Sequence, residues 1–532
     1  MTQVEYQSMS PSDFFYRNRE IAGFSNPSRA IYAAVRELVE NSLDACEARL
    51  TPPNIYLRLT EIEKPEETSA ESSTSIYQMR VSDNGTGITC DEIPHCFGQV
   101  FYGSKYTLKQ ARGTFGLGGT ITILYGQITT HKPVTITSST GGEIHQYEMM
   151  IDIAKNRPII LQHKIMDNKK GWKGTIVDLQ MEGDYSRIKK RLLEYLKQTA
   201  MVNPYADITF VDPSGRLFRY ERGTEKMPPL PKSVKPHPHG IDVENFRRLV
   251  GITKSKNLKD FMMTHFQGIG PTTSEKFLKA AKISKKAKPK SLNPDEIVKL
   301  VRAAKDYKDF KRPDAGCLSP IGEELLETGV RKELGLTDED FLKVVTRKPS
   351  TYLGFPFIVE AAVATGKNIS KQFKGGTTII RFANRIPLLF DESSGVVWKV
   401  INRNINWSTY NVSSDTPLVI AVHVCSTKIP YKTVGKEYMA DQPEVEKEIT
   451  NAIRTAARSL RVFISRRIRV AREKRRLDIF EKYLPKVAEF AAKLAGFEDE
   501  PEIRPLLNVV STKLPEVEKK LEEVPTIVGN DS

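Results

Sequence analysis

Apolar and polar residues alternate with a period of two in five stretches of the N-terminal part of the chain: NIYLRLTEI from Asn54, SIYQMRVSDNG from Ser75, PVTITSST from Pro133, HQYEMMIDI from His145 and GTIVDLQ from Gly174. Such alternation predicts strands of a half-buried sheet. Ahead of them, residues 12–50 follow a helical period, with Asn26-Pro27-Ser28 as the start signal for RAIYAAVRELVENSLDACEARL. On that helix Ile31, Val35, Leu38 and Val39 fall on the side opposite Asn41. Lys64–Ser75, rich in Glu, Ser and Thr, reads as a surface loop between the first two strands. The simplest account is a mixed α+β domain over residues 1–228, its regular pattern ending near Glu225.

The pattern then changes three times. Lys226–Gly240 is proline-rich without apolar periodicity, so residues 229–240 read as a semi-rigid linker in which His237 and His239 are solvated. Residues 241–313 are helical, with a tight turn at Gly268-Ile269-Gly270-Pro271 and a helix cap at Thr272–Ser274. From 316 to 440 the segments FPFIVEAAVAT, TTIIRFANRIPLL and PLVIAVHVCS predict the buried strands of a second α+β domain, with a turn at Asp391–Gly395. A long helix follows within 441–484, over Pro443–Leu484, with Val445, Ile449, Ile453, Ala456, Leu460, Phe463 or Ile464, Ile468 and Ala471 at helical spacing. Beyond Pro485 the tail, 485–532, is Pro-interrupted and partly helical. The fold class is therefore α+β and multidomain, as 532 residues require.

Charge changes the picture more than hydrophobicity does. The chain has 80 Lys+Arg against 65 Asp+Glu, a net charge of +15, which fits a polyanionic partner such as nucleic acid without identifying one. Cys46, Cys90, Cys96, Cys317 and Cys425 form no CxxC pair, which argues against a disulfide scaffold or a zinc module and for a reducing compartment. MTQVEYQSMSPSDFF has neither the basic nor the apolar region of a signal peptide, and no run approaches the roughly 18 apolar residues of a membrane helix. A cytoplasmic protein is expected.

Hydrolysis of a nucleoside triphosphate needs a group that orients water, a cation for the phosphate oxygens and donors where charge accumulates. ELVENSLDA places Glu37, Asn41 and Asp44 at i, i+4 and i+7 on one helix face. Glu37 can orient water and Asn41 can offer an amide oxygen to Mg²⁺; Glu40 lies near the same face, and angle alone does not exclude it. In isolation this pattern is an exposed acidic face. In DNGTGI, Asp83 at a strand end can accept the exocyclic amine of adenine while Gly85 and Gly87 let the backbone approach the ring. On its own the hexapeptide is a hairpin turn. RGTFGLGG carries GxxGxG at Gly113, Gly116 and Gly118, with Thr114, Phe115, Leu117 and Gly119 in the same stretch. Amides of a helix starting there would cradle phosphates, although the GK[ST] of a Walker loop is absent.

In combination, ExxxNxxDA, DxGxG and GxxGxG resemble the GHKL ATPases, the group of gyrase-type topoisomerases, MutL-type repair proteins, ninety-kilodalton heat-shock chaperones and sensor histidine kinases. The resemblance implies a Bergerat α/β sandwich that binds ATP and Mg²⁺, with Glu37 as general base, Asn41 as metal ligand and Asp44 and Asp83 at the nucleotide. Gly174-Thr175 resembles the last box, whose threonine supports the adenine-binding aspartate. A lid over about Gly98–Gly113 would bring Ser104, Lys105 and Arg112 to the nucleotide. Further stretches narrow the likeness: SPSDFFYRNREIAGFSNPSRAIYAAVRELVENSLDA, FYGSKYTLKQARGTFGLGG, QGIGPTTSEKFL and FANRIPLLFD resemble the B subunits of archaeal type IIB DNA topoisomerases, the topoisomerase VI family, from about residue 10 to 480. That implies an N-terminal strap, a helix-two-turns-helix domain over 241–313, a transducer over 316–440 and a long helix towards a separate A subunit. It further implies an A2B2 heterotetramer, ATP-dependent self-dimerisation, double-stranded DNA as substrate and a place at the nucleoid. A transducer lysine that senses the γ-phosphate aligns with Lys436, with Lys432 and Lys428 as alternatives.

Two basic features suit that partner. Lys276, Lys279, Lys282, Lys285, Lys286, Lys288 and Lys290 crowd one helix of the 241–313 unit, and ten Arg/Lys lie between Arg454 and Arg476 on the long helix. Either set also suits a merely solvated face. Asp338-Glu339-Asp340 spells the DxD of a Toprim metal pair, but no strand precedes it, and a helix start capped by Thr337 or Asp338 is the better reading. The rival function is a chaperone-like or repair-type ATPase clamp without strand passage.

Overall fold

The computed structural model of the 532-residue chain describes residues 8–64, 74–103, 108–113, 117–373, 376–390, 395–431, 439–496 and 502–506. The first unit runs α1 (Pro11–Arg17), α2 (Pro27–Ala48), β1 (Asn54–Glu63), β2 (Ser75–Ser82), α3 (Glu92–Gly98), α4 (Gly118–Thr130), β3 (Val134–Thr140), β4 (Ile144–Asp152), β5 (Arg157–Met166), β6 (Lys173–Gly183), α5 (Tyr185–Val202), β7 (Asp207–Val211) and β8 (Leu217–Tyr220). Its eight strands form one sheet in the order β5-β4-β3-β6-β2-β1-β7-β8. Only the β1–β7 pair is parallel.

The period-two pattern does what it should: Tyr77, Met79 and Val81 of β2 turn inward while their neighbours stay half-exposed. Helices α2, α4 and α5 cover that inner face. Asn26 caps α2 by accepting from the Arg29 amide at 2.8 Å, and Pro27 takes the first turn, where no N–H is needed. Ile31, Val35, Leu38 and Val39 are buried and Asn41 is exposed, as the spacing requires. Strand β5 escapes the pattern because it is an edge strand exposed along nearly its whole length, Ile159, Ile160, Leu161 and Ile165 included. Of the expected loop at Lys64–Ser75, residues 65–73 lie outside the described residues.

The second unit packs α6 (Val243–Ile252), α7 (Leu258–His265), α8 (Pro271–Ala280) and α9 (Pro294–Asp306) around Phe246, Phe261, Phe266, Phe277 and Phe310. Two expectations fail here. Thr272–Ser274 do not cap a helix; Gly270 is the cap and Pro271 the first helical residue. Nor are the linker histidines solvated. His237 is buried with Nε2 2.9 Å from the Lys311 carbonyl, His239 Nε2 lies 2.8 Å from the Tyr307 carbonyl, and both rings meet Phe310 edge-on. The proline-rich segment is fastened to the helical unit by these two rings.

The third unit comprises α10 (Glu323–Leu334), β9 (Phe341–Thr346), β10 (Ser350–Tyr352), β11 (Phe355–Thr365), α11 (Lys367–Gln372), β12 (Thr377–Ala383), β13 (Ile386–Pro387), α12 (Val396–Lys399), β14 (Leu418–Ser426) and α13 (Pro443–Ala495). Its sheet runs β10-β11-β14-β12-β13, with β9 also paired to β11. β11 and β14 are buried on both faces, which explains their unbroken apolar runs. Val445, Ile449, Ile453, Ala456 and Leu460 of α13 cover one face, and α10 with the end of α5 covers the other. Phe463 still meets Phe341 of β9 and Ile464 still packs on this core; past Ile464 the stripe leaves the sheet, and Ile468 is half exposed.

Asp338-Glu339-Asp340 is a turn into β9 rather than a helix start: Asp340 accepts from the Thr337 amide at 2.9 Å and the Lys367 amide at 3.0 Å. The long helix does not stop at Leu484 but runs through Pro485 to Ala495. A proline inside a helix costs about 3 kcal/mol, and the carbonyl that loses its partner belongs to Glu481, an exposed residue on the solvent side of the helix. Within the predicted turn at Asp391–Gly395, residues 391–394 lie outside the described residues.

Candidate nucleotide site

Three elements of the first unit converge: the outward face of α2, the start of α4 and the turn after β2. The α2 and α4 approach is so close that a Cβ on Gly118 would lie 1.8 Å from Glu37 Oε2, and one on Gly119 would lie 3.4 Å from Asn41 Nδ2. Any side chain at position 118 would have to displace this carboxylate. Leu117, at the N-cap of α4, makes no side-chain capping bond, and the first turn of the helix sits beside Glu37 and Asn41. Glu37 is half-buried and accepts from Arg36 Nη2 at 2.8 Å. Glu40, the other carboxylate on this helix, is buried and lies 3.8 Å from Arg36 Nε. Burial works against the Arg36 charge, but Glu37 and Glu40 outweigh it and hold the guanidinium above its usual range. Of the two acids, Glu37 is the one at the start of α4.

Asp83 ends β2 in a buried cradle. Its Oδ1 accepts from the Gly85 amide at 2.9 Å and the Thr175 amide at 3.2 Å, and its Oδ2 accepts from Ser42 Oγ at 3.0 Å. Burial pushes the Asp83 carboxyl upward, and these three donors pull against it without winning. Thr175 supports the aspartate through its backbone, while its hydroxyl meets Ser138 Oγ at 3.0 Å. Ser138 in turn accepts from the Ile88 amide at 2.9 Å and fixes the far end of DNGTGI. Sequence reasoning misses Ser42 and Ser138; Ser42 has a signal, since it follows Asn41 and lies one residue off the face of Glu37. Gly87 serves packing more than ligand approach. Its φ is +69°, and a Cβ there would stand 1.9 Å from the Ser139 carbonyl oxygen.

Arg112 and Asp44, both expected at the nucleotide, are bonded to each other. Arg112 is 3% exposed and donates to Asp44 Oδ1 at 2.7 Å, Glu47 Oε1 at 2.5 Å and Asn203 Oδ1 at 2.6 Å. Two carboxylates and an amide oxygen engage its planar fork, and these bonds brace the end of α2. Gly113 follows directly, and Leu117 precedes the first turn of α4. Ser104, Lys105, Thr114, Phe115, Gly116, Lys432 and Lys436 lie outside the described residues. Of the alternatives to Lys436, Lys428 sits with Nζ 5.0 Å from the centroid of the Phe355 ring. Tyr431 and Met439, flanking 432–438, pair as a β-bridge. Burial, then the nearby Glu40 of α2, pushes the Tyr431 hydroxyl up.

Comparison with known proteins bears on both ends of the chain. The model of the histidine kinase-, DNA gyrase B- and HSP90-like ATPases matches residues 26–149, and that of the topoisomerase VI B subunit transducer matches residues 313–476. The chain is 40% identical to the B subunit of type 2 DNA topoisomerase 6 from Sulfurisphaera tokodaii over 98% of both chains. It is 42% identical to that of Saccharolobus islandicus over 92% of this chain and 90% of the relative. Among solved structures, the 43K ATPase domain of Thermus thermophilus gyrase B in complex with an aminocoumarin aligns at 12% identity and a TM-score of 0.40, covering 88% of this chain and 98% of that one. Among the described residues no helix is long and apolar enough to cross a membrane.

Proposed function

The chain belongs to the family of type 2 DNA topoisomerase 6 B subunits, and from that membership we propose that it is the ATP-binding and ATP-hydrolysing subunit of a type IIB DNA topoisomerase working in the cytoplasm at the nucleoid. The observation that carries the site assignment is the close apposition of Glu37 and Asn41 to the uncapped start of α4. Adenine donates its exocyclic amine to Asp83, whose Oδ2 has one donor in Ser42 and keeps acceptor capacity. The phosphates lie along Gly113–Gly119, where backbone amides meet their charge. Glu37 orients the attacking water. The family resemblance assigns Ser104 and Lys105 of the lid, and Lys436 of the transducer, to the phosphates.

Mg²⁺, when bound with the nucleotide, supplies positive charge to the phosphate oxygens. Asn41 fits it as a hard oxygen donor, since its exposed amide faces Gly119 and either of its two terminal atoms can be turned inward. Nucleotide-dependent dimerisation then passes through the transducer and the long helix to an A subunit that cuts double-stranded DNA, within an A2B2 assembly. The boundaries 1–228, 241–313, 316–440 and 441–484 describe the ATPase, helix-two-turns-helix, transducer and long-helix parts, the last extended to Ala495.

Glu37→Ala tests the reading. Nucleotide binding should persist while turnover falls to background, and with the A subunit present strand passage should stop with it. Undiminished hydrolysis by the variant would overturn the base assignment. Turnover without any strand passage by the assembled wild-type pair would favour the clamp.

A further inference from the structure

Three donor atoms that the nucleotide chemistry does not use meet at the outer end of the first sheet. Cys90 lies just past the DNGTGI turn and ahead of α3, His145 is on β4, and His163 is on the edge strand β5. The antiparallel register pairs Tyr147 with His163 and His145 with Ile165, so His145, Tyr147 and His163 share one face, the one α3 packs against. The Cys90 sulfur and one ring nitrogen from each histidine all lie within 4.8 Å of one another. His145 Nδ1 and His163 Nε2 are 3.2 Å apart. The Tyr147 ring stacks on His163 with centroids 4.0 Å apart and planes 6° from parallel, and its hydroxyl lies 3.1 Å from Cys90 Sγ.

We propose that Cys90, His145 and His163 bind one Zn²⁺ ion, with solvent in the fourth position. Two Zn–N bonds of about 2.0–2.1 Å at a tetrahedral angle span roughly 3.3–3.4 Å between nitrogens, close to the 3.2 Å found. One thiolate with two imidazoles is a donor set for zinc-class ions and a poor one for Mg²⁺ or Ca²⁺. The ligands are set before metal arrives: two histidines sit on neighbouring strands in fixed register, and the Tyr147 stack holds one ring in orientation. His163 is exposed, giving the ion an entry path, while Cys90 and His145 are half-buried. Spacings of this kind carry no CxxC signature, which is why cysteine counting argues against zinc. The ion would pin the turn before α3 to the β4–β5 hairpin. The far end of α3 rests on the same hairpin, where a Cβ on Gly98 would meet Pro158 and Met149. Both ends of the helix that leads into the lid segment would then be held to one hairpin.

The test uses the full chain without a histidine tag, stripped of metal and titrated with Zn²⁺ against a chromophoric chelator, then with Co²⁺ as a spectroscopic probe. One equivalent should bind per chain. The Co²⁺ form should show a thiolate-to-cobalt charge-transfer band with tetrahedral ligand-field bands, and Zn²⁺ should raise the melting temperature. Cys90→Ser should abolish the charge-transfer band, and His163→Gln should weaken binding at least tenfold. Because His163 is on the exposed edge strand, that variant keeps the metal-free melting temperature and decides the matter even if Cys90→Ser does not fold. Substoichiometric binding, a cobalt complex without a thiolate band, or affinity unchanged by His163→Gln would overturn the proposal and leave a hydrogen-bonded histidine pair.

Discussion

Arg385, in the tight turn between β12 and β13 of the transducer, donates through Nη1 to Glu47 Oε2 on α2 of the ATPase domain, 3.1 Å away. The other oxygen of Glu47 accepts from Arg112 at 2.5 Å and from the Tyr205 hydroxyl at 2.6 Å. All four side chains are buried. Burial pushes the Glu47 carboxyl up, but Arg112 and Arg385 overcome it and hold the group below the usual carboxylate range. One carboxylate on the helix that carries Glu37 and Asn41 thus joins Arg112, next to the glycine-rich stretch, to the transducer.

Arg385→Ala should leave Glu47 buried with one partner fewer. Removing one member of a buried ion pair costs about 3–5 kcal/mol, and urea unfolding of the intact chain should show a loss of that order. Arg385→Lys should not restore it, because Nη2 of Arg385 also donates to Ser319, whose carbonyl lies 2.8 Å away. A loss under about 1 kcal/mol, the value typical of an exposed pair, would mean the two domains are not joined here.

Asp83→Asn separates affinity from stability. Burial holds the Asp83 carboxyl above its ordinary range, so its charge is a cost to the folded protein without nucleotide. The amide should therefore leave the melting temperature unchanged or higher. ATP affinity should fall by roughly 10- to 150-fold, the loss of a charge-assisted bond of about 1.5–3 kcal/mol. In the wild type, binding should weaken as the pH falls through a value above the usual aspartate range. Equilibrium titration of a fluorescent ATP analogue across pH, beside a melting curve of each protein, checks all three. A variant that melts lower and binds normally would contradict the assignment.

How much of this is legible in the sequence depends on the range of the interaction. The α2 face and each glycine box are written within a few consecutive residues, and local pattern reads each of them directly. Thr175 follows from the family pattern, but its backbone role does not, because register with the Asp83 turn exists only once the sheet is formed. Arg112 defeats a local reading for the same reason: its partners Glu47 and Asn203 lie 65 and 91 residues away along the chain. Proline density makes residues 229–240 look like a free linker, yet two histidines at its end dock on carbonyls of the helical unit. Exposed β5 has no core to impose alternation on it.

The transducer core carries a pH-sensitive pair. Glu360 and His423 are buried at the centre of β11 and β14, with His423 Nδ1 2.8 Å from Glu360 Oε2. The His423 Nε2 accepts from the Arg385 amide at 3.0 Å, which fixes a neutral imidazole with its proton on Nδ1. Burial lowers the His423 pKa, outweighing the opposite pull of Glu360. Glu360 is also lowered: burial raises it, but His423 and the Ile321 and Gly322 amides prevail. An unfolded histidine takes a proton near pH 6.5 while folded His423 resists, so the unfolded state gains protons first. Stability is complete above about pH 6.5 and falls on acidification, by up to about 1.4 kcal/mol per pH unit from this one site. Loss of the Glu360 anion adds to the fall at lower pH. Urea unfolding between about pH 5 and 7 should show the slope, and His423→Gln, which keeps a donor for Glu360, should flatten its upper part. An unchanged slope would place the sensitivity elsewhere.

Two basic surfaces are candidates for contact with the DNA backbone. Lys276, Lys279, Lys282, Lys285, Lys286, Lys288 and Lys290 are grouped around α8. Glu275 draws Lys285 to 3.1 Å and Lys259 to 2.7 Å, leaving exposed Lys279, Lys286 and Lys290 facing solvent. On α13, Arg467, Arg469, Arg472, Arg475 and Arg476 lie beyond the point where the helix leaves its sheet. Each lysine that neutralises a phosphate contributes about 0.9 to the slope of log affinity against log salt. Replacing Lys279, Lys286 and Lys290 by alanine in the proposed A2B2 assembly should reduce that slope by about 2–3, with DNA-independent ATP turnover unchanged. An equal reduction from alanines at Arg467, Arg472 and Arg475, with none from the lysines, would move the contact surface to the long helix. No reduction from either set would mean that the +15 charge of the chain does not meet DNA through these faces.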